Sequence, residues 1–221
     1  MSPTATTAPT IPPVFDPGHD PVRPELVAAI DRCWDELARP GTWWDAAAKA
    51  EIVVVARGAR SGDRASECGL PGAARDIAAL LAAAPAVTSE TLVRAACDAI
   101  GEPHYVELVG VVARVVAVDT FLACLGHEPL AAPAPVAGEP TRTPPPDGIR
   151  RNHTWVAMAM PVPPFVLGAV PDAMAAMNDL SEPLYMPMSD MGDPDWRRGD
   201  LHRTQVELVA ATVSHENECF Y

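Results

Sequence analysis

The chain is predicted to fold as an all-α helical bundle, and three observations carry that expectation. Hydrophobic residues make up 48% of the 221 residues but aromatics only 5%, so Ala and Val dominate, and small side chains let helix axes approach closely. Apolar residues recur at helical spacing, first at Leu26, Val27, Ile30, Cys33, Trp34 and Leu37. The stretch 104–126 (HYVELVGVVARVVAVDTFLACLG) is apolar round most of a helix, as for a helix buried in a bundle or at a subunit contact.

In order, residues 1–22 are rich in Pro, Thr and Ala and read as a flexible tail. A first helix opens at Pro24, a residue suited to a first turn, and Gly41 ends it. A second spans 43–60, with Trp43 and Trp44 anchoring its start and Glu51 inside it. Helices at 72–84 and 89–100 follow, Ser89 or Thr91 opening the latter. In 104–126, Glu107 and Arg114 share one face, seven residues apart. Residues 128–150 are dense in proline and read as a linker or an extended arm. After an irregular apolar segment, a helix covers 171–180, then a loop rich in Met and Asp, then a last helix over 204–215. Thr204 and Glu207 have the spacing of a capping box, and Val206, Leu208, Val209, Ala210 and Val213 form its apolar stripe.

Charge and cysteine content exclude some function classes. A net charge of −13 argues against a nucleic-acid partner. The longest apolar run, 155–170, is broken by Pro161, Pro163 and Pro164 and is too short to span a bilayer. With no secretory h-region after Met1, a cytoplasmic location with reduced thiols is expected. The five cysteines are scattered without a CxxC pair, which excludes zinc ribbons. Cys33, Cys97 and Cys124 fall on apolar helix faces and read as core thiols. Asp190, Asp193, Asp195 and Asp200 lack calcium-loop spacing and read as a solvated loop, so neither metal nor organic cofactor is expected.

The most informative stretch is 201–221. A straight helix would separate Glu207 from Cys219 by ~18 Å. They meet only if the chain turns near Glu216–Asn217 and Cys219 opens a new helix, whose amide dipoles would favour a thiolate. Glu207 followed twelve residues later by Cys219, within VELVAATVSHENECFY, resembles the start of the active-site motif of the alkylhydroperoxidase D-like (carboxymuconolactone decarboxylase-like) family. That motif continues with a second Cys three residues on and a His four further, and this sequence stops at Tyr221, before both.

The two halves also resemble each other. Aligning Glu51 with Glu207 pairs AEIVVVARGARSGD with VELVAATVSHENEC, and PELVAAI (24–30) pairs with PDAMAAM (171–177). Asp63 then stands at the position of Cys219, and Ser66 where a second Cys would fall. Cys68, two residues on, reads as a loop thiol or a shifted one. The resemblance implies two tandem helical units. The first, 23–127, is degenerate and lacks the Cys pair; the second, 151–221, is incomplete, as in a fragment.

The resemblance further implies a thiol-dependent peroxidase. Cys219 would be one thiol, Glu207 would steer the proton, and His215 could relay it or simply support the helix C-terminus. The implied partners are a small hydroperoxide and an external dithiol reductant, and a homo-oligomer is expected. Alternatives are a non-catalytic helical assembly protein and, more weakly, a lactone decarboxylase.

Overall fold

The computed structural model describes residues 22–63, 68–160 and 165–217. It is all-α apart from one short hairpin: α1 (Pro24–Leu37), α2 (Ala46–Ser61), α3 (Gly72–Ala83), α4 (Glu90–Ile100), α5 (Glu102–Cys124), α6 (Pro171–Leu184), β1 (Arg197–Arg198), β2 (Leu201–His202) and α7 (Arg203–Glu216). Among the described residues no helix is long and apolar enough to cross a membrane.

α5 is the axis of the bundle. Its 23 residues, ~34 Å long at the standard rise, bury side chains on nearly every face, from Tyr105 to Leu122. α2, α3, α4 and α6 pack around it. Gly110 is required midway, because a Cβ there would press Leu167 at 3.3 Å and Ala173 at 3.4 Å. α1 buries Leu26, Ala29, Ile30, Cys33, Trp34 and Leu37 and lies against α6 and α2. The second half is thus anchored on the first through α6, clipped by a bidentate Arg32–Asp179 pair.

Several boundaries differ from expectation for local reasons. α2 starts at Ala46 because Asp45 caps it, its carboxylate accepting from the amide of Ala48. This leaves Trp43 and Trp44 in the preceding turn. Gly62 closes α2 in the left-handed conformation, φ 86°. Ser89 caps α4. α6 runs four residues past the expected 180 and tolerates Pro183 inside its last turn.

The proline-rich segment is an extended arm laid across the α1–α2 corner. Val136 donates to the carbonyl of Ala38, Thr141 to Gly41 and Arg142 to Thr42. Trp34 Nε1 reaches the Ala131 carbonyl at 2.8 Å, and Leu130 is buried. Proline lacks an amide donor, so such a strap forms its bonds at the non-proline positions.

α7 departs most from the expected pattern. The capping box uses His202 and Gln205 in place of Thr204 and Glu207. The His202 amide donates to Gln205 Oε1 at 2.9 Å, and the Thr204 amide to His202 Nδ1 at 3.3 Å. The hairpin turning at Gly199 (φ 57°) presents His202 at the cap. No α7 residue is buried, and Leu208, Val209 and Val213 are 69%, 63% and 54% exposed. Cys124, expected in the core, is exposed because the end of α5 overshoots the packed layers; Cys33 and Cys97 are buried.

Candidate functional site

The sequence-derived candidates centre on α7. Release from capping leaves the Glu207 carboxylate, in the second turn of a half-covered helix, free for tertiary partners. Its Oε2 accepts from the Tyr185 hydroxyl at 2.8 Å, and its Oε1 lies 3.1 Å from an Arg203 guanidinium nitrogen. Arg203 also donates to the carbonyls of Asp190, Met191 and Asp193, stitching the Met- and Asp-rich loop to α7. Burial, then the bond to Glu207, raises the Tyr185 pKa, so at neutral pH the phenol is a fixed donor. A carboxylate held this way has a set orientation and remains a proton acceptor.

His215 lies two turns further on, ~12 Å along the axis. It is exposed, and no bond among the described residues joins it to Glu207. Cys219 lies outside the described residues, so the three candidates are not assembled into one geometry.

Glu51, which the sequence alignment of the two halves pairs with Glu207, is half-buried in α2 beside the Cys68–Gly69 loop. A Cβ at Gly69 would stand 3.1 Å from its Oε1. Ser66 lies outside the described residues. Cys33 and Cys97 are inert by environment, burial pushing both thiols up to about 11.

A second constellation occupies the core between α1, α2 and α5. The Lys49 ammonium, fully buried, bonds Glu36 Oε1 at 2.7 Å and the Glu36 carbonyl at 2.8 Å. Buried Arg114 pairs with the other Glu36 oxygen and donates to the Gly110 carbonyl. Glu107, also buried, accepts from the Trp43 amide at 2.6 Å. Burial opposes charge on Glu36, but Arg114 and Lys49 outweigh it and hold the carboxyl below its ordinary range. Burial lowers the Lys49 pKa and raises that of Glu107. Two cations and two carboxylates balance, and the arrangement locks three helices in register. The spacing of Glu107 and Arg114 pointed toward it. Glu36 carries no sequence signal, and Lys49, the only lysine among sixteen basic residues, reads from composition as coding bias although it is the buried cation of this cluster.

Among the described residues no three metal-ligating side chains converge. The chain matches no family model, no curated protein and no solved structure in the three comparisons made.

Proposed function

We propose that the protein is a thiol-dependent peroxidase of the alkylhydroperoxidase D-like type, built from two related helical units, with Cys219 as the peroxide-reactive thiol. The observation that carries the reading is the recurrence of one carboxylate in both halves. The alignment of the two halves pairs Glu51 on α2 with Glu207 on α7 within apolar stretches of sequence, and both residues are half-buried.

In this reading the Cys219 thiolate attacks the terminal oxygen of a hydroperoxide. The O–O bond breaks, the alcohol leaves with a proton delivered through Glu207, and the sulfur becomes a sulfenic acid. An external dithiol then reduces it. One donor thiol displaces water to form a mixed disulfide, and the other closes the donor's own disulfide and releases the Cys219 thiol. The test is steady-state oxidation of a dithiol donor by an alkyl hydroperoxide. Loss of turnover in Cys219→Ser supports the reading, and unchanged turnover overturns it.

The uncovered face of α7 favours a second reading, a non-catalytic assembly protein. Leu208→Glu with Val209→Glu would then change the oligomeric state, while Cys219→Ser would change nothing in the assay.

A further inference from the structure

The clearest concave apolar feature lies between the start of α5, α4 and the segments 153–158 and 166–167. It is an open pocket of about 470 Å³, within the size range of small-molecule sites. Its floor is core: Val93, Tyr105, Val106 and Leu167 are each no more than 5% exposed. Its rim carries Trp155 and Val166, large apolar side chains that remain 43% and 39% exposed.

The wall is fixed before any ligand arrives. Arg150 and Met158 exchange backbone hydrogen bonds, closing the intervening residues into a loop. Glu102, at the start of α5, pairs with Arg151 and accepts from the amide of Ala157 at 2.6 Å. The Thr154 hydroxyl donates to the Val156 carbonyl at 2.7 Å, so it is already committed. A pre-built wall spares a ligand the entropy of ordering the loop.

The chemistry of the lining selects the ligand class. Among the described residues no Asp, Glu, Lys or Arg lines the pocket, and the one imidazole, His153, is exposed at its edge, so a charged ligand on the apolar floor would lose hydration without compensation. The net charge of −13 further disfavours anions. One polar group on the floor is uncommitted: no described residue hydrogen-bonds the Tyr105 hydroxyl. That hydroxyl is not among the sealed polar atoms left without a partner, so it keeps contact with solvent and can exchange that contact for a ligand's polar atom.

We propose that this pocket is a binding site for one neutral, largely apolar small molecule whose single hydrogen-bonding group meets Tyr105. The assignment rests on α4, α5 and the 150–158 loop, and it stands or falls independently of Cys219.

N-phenyl-1-naphthylamine, a neutral apolar fluorophore with one N–H, is the probe, titrated into the full chain. Binding should saturate at one site with enhanced, blue-shifted emission. Val109→Trp, which fills the pocket from a half-buried position, should weaken binding at least tenfold without moving the thermal midpoint. Tyr105→Phe should weaken it several-fold. Leu208→Glu on the exposed face of α7 should leave it unchanged. Absence of saturable binding, or undiminished binding in Val109→Trp, overturns the proposal. If Val109→Trp does not fold, Val166→Trp at the exposed rim decides by the same criterion.

Discussion

The Tyr185 hydroxyl donates to the Glu207 carboxylate at 2.8 Å, joining the last residue of the α6 corner to the second turn of α7. With Arg203 on the other oxygen, this contact replaces the capping role expected of Glu207. Removing the hydroxyl in Tyr185→Phe leaves Arg203 in place and costs about 1 kcal/mol, the net worth of one such bond. Glu207→Ala strips both donors of their acceptor and should loosen α7 more than Tyr185→Phe does. Amide hydrogen exchange along 203–216 reads the difference. Equal protection in both variants contradicts this account of the contact.

Gly41 is held small by Glu107. A Cβ at Gly41 would overlap Glu107 Oε1, and the bond from the Trp43 amide prevents the carboxylate from swinging away. Gly41→Ala should therefore destabilise the fold by about 1–3 kcal/mol, the usual range for overpacking. Adding Glu107→Ala should make the pair less destabilising than the sum of the single changes. Additive effects in chemical denaturation would show that the two residues do not compete for space.

Half-buried Glu36 and buried Glu107 should respond oppositely to pH. Glu36 is held below its ordinary value of 4.5, so its contribution is present above that pH and is lost as pH falls through the folded value. Glu107 is raised above 4.5 by burial, so its contribution is present below that pH and is lost as pH rises through its folded value. Glu36→Gln should thus lower the melting temperature near neutrality and flatten the acid limb. Glu107→Gln, which keeps an acceptor for Trp43, should raise neutral stability. The reverse order of the two melting curves would contradict the assignment.

Lys49→Met probes the same cluster by removing the fully buried cation. Breaking one partner of a fully buried pair costs about 3 kcal/mol or more; here the loss should be smaller, about 1–2 kcal/mol, because the Glu36 side chain is 35% exposed and keeps Arg114. Urea denaturation measures it, and a loss well under 1 kcal/mol would mean that Lys49 contributes packing alone.

Much of the fold was legible in the sequence because its signals are local. Pro24, Ser89 and the 3.6-residue periodicity placed α1, α4 and α5 within a few residues. What was missed depends on distant partners. Asp45 went unrecognised as the cap of α2, and His202 acts as a cap only because the hairpin presents it. The proline-rich segment reads from composition as a linker or an extended arm, and nothing local reveals that the edge of α1 and the α1–α2 corner offer carbonyls to it. At the candidate site the helix carrying Glu207 was legible, but the bonds of Glu207 to Tyr185 and Arg203 were not. They depend on how α6 and the loop after it fold back.

The most direct test of the central proposal is chemical trapping at Cys219. The protein is treated with a stoichiometric alkyl hydroperoxide in the presence of dimedone, which captures sulfenic acids, and the adduct is mapped by peptide mass spectrometry. The account predicts one adduct on Cys219, formed far faster than at exposed Cys124, slowed in Glu207→Gln and suppressed when excess dithiol donor is present together with the peroxide. An unmodified Cys219, or labelling no faster than at Cys124, would contradict a peroxide-reactive thiol in this chain.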